Sequence, residues 1–281
     1  MKKLFLAVLS AAAMASPAHA AVTLNLVASY AKSNGAFGLA YDGNNLWYSN
    51  GFGTIYEMTT AGVDTGNSIV GNYWSALAYD SAANKLATMQ GTTMRQFDRA
   101  NAAGVNVNSL NVTNTAIAGG YGGLIDGLDI EGGTLWWSPD VDKVYNSPLA
   151  GGGSRTEFLG GAGGYSGVEY VTAGGNSYII VVNDALNPRR LCIHATDATE
   201  IGCTTLPNSR YEDLAFDGRY LYAADYLGNR IDKIDLLVDG GSIFNPGAVP
   251  EPSTWAMLIV GFGAVGATLR KRRQAAHYSF A

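Results

Sequence analysis

Histidine, cysteine and basic side chains are scarce in this 281-residue sequence. Of its three histidines, His19 and His277 belong to the terminal segments, so His194 is the only imidazole of the middle, and no Gly-x-Ser-x-Gly elbow occurs. Hydrolysis by a Ser/His/Asp or Cys/His arrangement therefore lacks its parts, and only chemistry run on metal and carboxylates stays open. The two cysteines, Cys192 and Cys203, flank a hairpin-like stretch and match no zinc-ligand spacing. They are expected to form a disulfide in an oxidising compartment. Setting the terminal segments aside leaves 12 Lys+Arg against 22 Asp+Glu, a net charge of −10. That balance repels phosphate backbones and excludes nucleic acid as a partner. Helical periodicity is also missing between the two ends.

The ends are distinct from the middle. Met1-Lys2-Lys3 precedes an apolar stretch from Leu4 to Ala15 and then Pro17-Ala18-His19-Ala20. A basic start, a short apolar core and a small-x-small exit make a secretory signal. The expectation is export through the Sec machinery and cleavage by signal peptidase between Ala20 and Ala21. At the other end, Val249-Pro250-Glu251-Pro252-Ser253-Thr254-Trp255-Ala256 runs into an uncharged stretch to Leu269, followed by Arg270-Lys271-Arg272-Arg273. The uncharged run falls just short of the roughly 17–25 residues of a permanent span, and the basic block would keep its far end in the cytoplasm. A hydrophobic helix over this run is expected.

These C-terminal residues resemble the PEP-CTERM sorting signal in its variant with Trp-Ala two residues after Pro-Glu-Pro. The matching positions are Pro250, Glu251, Pro252, Trp255, Ala256 and the cluster Arg270, Lys271, Arg272 and Arg273. The same tail is also called an ice-binding protein C-terminal domain, a name that carries no implication of ice binding. The resemblance implies a Gram-negative bacterium, processing by an exosortase near Pro-Glu-Pro, and an inner-membrane intermediate before delivery to the cell surface or beyond. Gln274 to Ala281 extend past the basic block, as happens in this variant. The expected division is a signal peptide at 1–20, a secreted body at 21–247, a sorting signal at 248–274 and a short tail at 275–281.

The body repeats. Gly38-Leu39-Ala40-Tyr41-Asp42, Ala76-Leu77-Ala78-Tyr79-Asp80, Gly127-Leu128-Asp129-Ile130-Glu131, Gly167-Val168-Glu169-Tyr170-Val171 and Asp213-Leu214-Ala215-Phe216-Asp217 align, with start-to-start spacings of 38, 51, 40 and 46 residues. Each leads into a second apolar strand, such as Leu46-Trp47-Tyr48 or Leu221-Tyr222-Ala223, and the clearest repeats show a third. The spacing and the Gly, Asn and Asp turns fit the blades of an all-β propeller. Five blades are visible, and a sixth would have to lie between Arg99 and Tyr121, a stretch that also reads as outer strand plus loop. The strand-like run Val22 to Tyr30 is placed to supply the last blade's missing outer strand and close the ring. The repeat Leu214 to Asp235 resembles NHL-like and related six-bladed propeller repeats, some of which are metal-dependent lactonases.

Innermost propeller strands line an axial channel. There, Asp129 and Glu169 replace the alanines of the other repeats, and Asp126 and Glu212 lie nearer the strand starts. The four together offer a calcium site, although channel mouths collect acids without binding metal. Asn50, Asp140, Asp184 and Asp225 follow the second strands and read as turn caps more than as a ligand rim. Trp47, Trp74, Trp136 and Trp137 suit inter-blade packing, and at most one of the adjacent pair Trp136 and Trp137 can form a sugar platform. No cofactor is required by this inventory. The functional expectation is an exported binding or structural component of an exopolysaccharide or biofilm matrix, with a calcium-dependent lactonase-like hydrolase as the alternative.

Overall fold

The computed structural model describes residues 20–51, 53–70, 76–90, 93–99, 108–111, 125–139, 143–150, 155–161 and 164–245. The chain opens with β1 (Val22–Ala31) and then lays down five four-stranded antiparallel blades in order. Blade 1 comprises β2 (Leu39–Tyr41), β3 (Asn45–Ser49), β4 (Thr54–Thr59) and β5 (Asp64–Val70). Blade 2 comprises β6 (Leu77–Asp80), β7 (Lys85–Gln90), β8 (Thr93–Phe97) and β9 (Asn108–Asn111). Blade 3 comprises β10 (Gly127–Glu131), β11 (Thr134–Ser138), β12 (Val144–Pro148) and β13 (Thr156–Leu159). Blade 4 comprises β14 (Tyr165–Ala173), β15 (Asn176–Asn183), β16 (Arg189–Ala195) and β17 (Glu200–Leu206). Blade 5 comprises β18 (Tyr211–Phe216), β19 (Leu221–Asp225) and β20 (Arg230–Val238), and takes β1 as its outer strand. The two-residue β21 (Gly241–Ser242) adds to β20 on the same side.

The ring is closed by the N-terminal strand. β1 runs antiparallel to β20 from Val22 opposite Val238 to Ala31 opposite Arg230, with a bulge between Leu26 and Ala28. Residues 108–111 serve as the outer strand of blade 2, so the described chain holds five blades and no sixth.

Strand sequences explain the packing. Successive side chains point to opposite faces, and a blade inside the ring has a neighbour on both faces, so its inner strands are apolar on both. Ile179, Ile180, Val181 and Val182 of β15 are all fully buried. The buried apolar residues accordingly fall into five clusters, one between each pair of adjacent blades. Polar links supplement them. Asp42 of blade 1 accepts hydrogen bonds from Trp47 Nε1 at 2.8 Å and from Arg99 at 2.6 Å, the latter reaching across from blade 2.

The expected hydrophobic helix, residues 1–19 of the leader and the sorting-motif residues Pro250 to Arg273 lie outside the described residues, as does Trp74.

Candidate functional site at the propeller axis

The five innermost strands β2, β6, β10, β14 and β18 place Ala40, Ala78, Asp129, Glu169 and Ala215 at equivalent positions, each paired with the second strand of its blade. Small alanines in three blades leave room on the axis for the two acids of the others. The result is a cavity of about 40 Å³ lined by Asp129, Glu169, Phe216, Tyr41, Tyr79 and the surrounding leucines and alanines. It sits at the end of the channel where the inner strands turn into their hairpins. Among the described residues, no lysine, arginine or histidine lines it.

Above the cavity the channel is plugged by Asp213, which is fully buried. Its Oδ2 accepts hydrogen bonds from the backbone N–H of Leu39 at 2.8 Å and of Leu77 at 2.9 Å. Its Oδ1 accepts from Leu128 at 3.2 Å and from Leu214 at 3.1 Å. One carboxyl thus gathers amide donors from blades 1, 2, 3 and 5. Asp129 reaches blade 4 by accepting from Tyr170 N–H at 2.9 Å, and Glu169 Oε1 reaches blade 5 by accepting from Phe216 N–H at 2.8 Å. The axial acids therefore clip neighbouring blades together.

Burial governs their titration. Desolvation pushes Asp129 up to about 7 against the pull of the Tyr170 and Ile130 amides, which favour the carboxylate. Glu169 is raised well above the ordinary range, first by burial and then by the charges of Asp129 and Asp213. Asp213 is also raised by burial, with its amide donors opposing. Burial thus favours the neutral form of both Asp129 and Glu169 over the carboxylate.

The four acids expected at one cation site are divided. Asp129 and Glu169 share the cavity, whereas Asp126 and Glu212 do not line it. Glu212 is buried and pairs with Arg210 at 2.8 Å, the same guanidinium that holds Asp184 at 2.7 Å. As donors, Asp129 and Glu169 suit a hard cation, but calcium takes 6–8 oxygens, so water would have to complete its shell.

The remaining candidates also find their places. Asn50 accepts from Thr54 N–H as a turn cap. Asp225 accepts from Arg210 N–H and pairs with Arg230, and Asp140 lies outside the described residues. Trp47, Trp136 and Trp137 are 2%, 7% and 0% exposed, which removes them as sugar platforms. Trp137 stacks on Tyr145 and Trp136 packs against Phe158 and Tyr170. Cys192 and Cys203 face each other across β16 and β17 and are joined by a disulfide. Cys192, His194 and Glu200 approach one another, but a disulfide sulfur is no thiolate ligand. His194 is held by burial below its ordinary pKa and its Nδ1 lies 3.4 Å from the Ala198 carbonyl.

Asp213 went unread in the sequence, although a signal was present. At its aligned position the other repeats carry Gly38, Ala76, Gly127 and Gly167, four small residues that leave the axis to a single side chain.

Comparison with known proteins bears on both parts of the chain. The model of the PEP-CTERM protein-sorting motif matches residues 248–273. No curated protein sequence matches the chain. Among solved structures, the Myxococcus xanthus glutaminyl cyclase superposes with a TM-score of 0.51 at 15% identity, over 76% of this chain and 97% of that one. The WD40 propeller domain of Doa1 gives a TM-score of 0.46 at 10% identity, over 76% and 97%. The first likeness supports the fold alone.

Proposed function

We propose that this PEP-CTERM, exosortase-sorted, exported protein carries its propeller as a non-enzymatic binding module of the cell-surface matrix, with exopolysaccharide as the partner. The observation that carries the reading is the union, in one chain, of a sorting motif at 248–273 with a closed five-bladed ring. The ring opens at one mouth onto a small acid-lined cavity. In this reading signal peptidase removes residues 1–20 after Sec export. Exosortase then processes the Pro250-Glu251-Pro252 segment during a transient stay in the inner membrane. The body's charge of −10 suits neutral or cationic partners and disfavours anionic ones. A glycan array probed with the purified protein tests the proposal. Binding to at least one matrix-type polysaccharide is expected, and a blank array would leave a purely structural role instead.

The convergence of Asp129 and Glu169 on one cavity keeps a second reading in play, a calcium-dependent lactonase-like hydrolase. Calcium-dependent lactone hydrolysis that disappears in the Asp129→Ala, Glu169→Ala double variant would establish it. No calcium binding and no hydrolysis would remove it.

A further inference from the structure

We propose that the fold holds a receptor for its own mature amino terminus. The α-ammonium that signal peptidase creates at Ala21 is bound by the carboxylate of Asp239, and this ion pair clasps the strand that closes the ring. The inference rests on the export reading above, which places the cut between Ala20 and Ala21.

The starting point is where the closing strand begins. β1 pairs with β20 from Val22 opposite Val238, and one residue further out a single side chain takes over. Ala21 N–H donates to Asp239 Oδ1 at 3.0 Å, and Asp239 N–H donates to the Ala21 carbonyl at 3.0 Å. Asp239 thus grips Ala21 through backbone and side chain together. Its own position is fixed by a tight reversal, since Asp239 and Gly240 form the two-residue loop between β20 and β21 with φ of 51° and 85°. Positive φ at both residues is the mark of a type I′ turn, for which Asp-Gly and Asn-Gly are both favoured. The turn would be served equally by asparagine. What asparagine lacks is a negative charge at the atom that Ala21 N meets.

The two sides of the cut offer partners of different kinds. Ala20 N–H donates to the Ile201 carbonyl of β17 at 3.1 Å, so an ammonium there would face a neutral oxygen, whereas at Ala21 it faces a carboxylate. A Cβ at Gly202 would meet the Ala20 carbonyl at 2.5 Å and Val22 Cγ2 at 2.8 Å. Blade 4 therefore has a glycine where the segment crosses it, and Val22 is buried in the cluster between blades 4 and 5. The other charges on the flanking strands do not compete. Asp235 accepts from Ser242 Oγ, Arg230 pairs with Asp232, and Lys233 stands over Tyr220. Glu200, next to Ile201 on β17, has the same sign as Asp239. In the precursor, Ala21 N is an uncharged amide, and cleavage turns it into a cation beside an anion. Charge-assisted hydrogen bonds are roughly twice as strong as neutral ones, so processing fixes the closing strand more firmly than it is fixed in the precursor.

The test uses the protein exported by its host and purified in detergent. Brief acylation over a range of pH, followed by mass spectrometry of the N-terminal peptide, reads the protonation of the α-amine, because only the neutral amine reacts. The peptide is expected to begin at Ala21. Its amine should titrate above the ordinary range of an amino terminus by a few tenths of a pH unit, the size that a solvent-exposed ion pair supports. In Asp239→Asn, which keeps the type I′ turn, the titration should return to the ordinary range, and about 1 M salt should have the same effect on the wild type. An amino terminus at Ala21 that titrates alike in the wild type and Asp239→Asn would overturn the clasp while leaving the cleavage reading intact. An amino terminus at any other residue would overturn both.

Discussion

Replacing Asp213 by asparagine probes the axis with almost no change of shape. Two amides bond each oxygen of the native carboxyl, Leu39 and Leu77 on Oδ2 and Leu128 and Leu214 on Oδ1, at 2.8–3.2 Å. An asparagine offers one acceptor oxygen, and its NH2 must face the other two N–H groups as donor against donor. Each buried donor left without a partner costs about 1–3 kcal/mol, so the pair costs roughly 2–6 kcal/mol. Removing the charge also removes its desolvation, which works in the opposite direction. Because burial outweighs the amide donors at Asp213, that relief offsets the upper part of the range and leaves its lower end as the expectation. A domain of this size loses about 2–4 °C of melting temperature per kcal/mol, so a fall of at least about 4 °C is expected by differential scanning calorimetry of the full-length protein. Asp213→Ala, which orphans all four donors, should fall further or fail to fold. An Asp213→Asn protein that melts at or above the wild-type temperature would refute the hub, by showing that the buried charge costs more than its hydrogen bonds return.

Three further outcomes follow from the same structure. A Cβ at Gly127 would meet Ser166 O, Val168 N and Ser138 Oγ well inside van der Waals contact, two of them backbone atoms of the next blade. Gly127→Ala should thus cost about 1–3 kcal/mol or more in chemical denaturation, whereas Gly241→Ala, whose nearest neighbour is 3.7 Å away, should cost little. Cys192 and Cys203 are 11 residues apart, and opening a loop of that length releases roughly 3 kcal/mol of chain entropy in the unfolded state. Reduction, or a Cys192→Ser, Cys203→Ser pair, should therefore lower the melting temperature by about 6–12 °C. Finally, Asp129 titrates near 7 in the fold against 3.8 outside it, so the folded protein binds the extra proton and this contribution to stability is lost as pH rises through about 7. Its ceiling is about 4 kcal/mol by linkage, and less in practice because the carboxyl borders the cavity. Asp42 and Glu57, whose pKa values are lowered, act in the opposite sense at low pH. The readout is therefore the difference between wild type and Asp129→Asn, which should shift in favour of the variant between about pH 4 and 7. A difference that does not vary with pH would contradict the assignment.

The ring was legible in the sequence because each blade repeats one local pattern: an apolar pair, a Gly- or Asn-rich turn, and a second strand such as Leu135-Trp136-Trp137. The closing role of Val22 to Tyr30 followed from counting strands, since blade 5 lacked an outer partner. The axial site was legible only in part. Asp129 and Glu169 stand out against alanines in aligned repeats and do share a cavity. Asp126 and Glu212 looked equivalent because both lie near the starts of inner strands, but Arg210, two residues before Glu212, pairs with it and with the distant Asp184, and an ion pair of that kind leaves no periodic trace. The tryptophans were ambiguous for a related reason, since burial on both faces of a blade is a property of the ring and not of any one strand.

The sorting claim is tested most directly by fractionating cells that express the chain with and without residues 250–273. The intact protein should appear as a transient inner-membrane species and then at the surface or beyond. The truncated protein should be released in full to the periplasm or medium, and the same release should occur on loss of the host exosortase only if that enzyme governs retention. Unchanged localisation on deleting Pro250 to Arg273 would contradict the account at its centre.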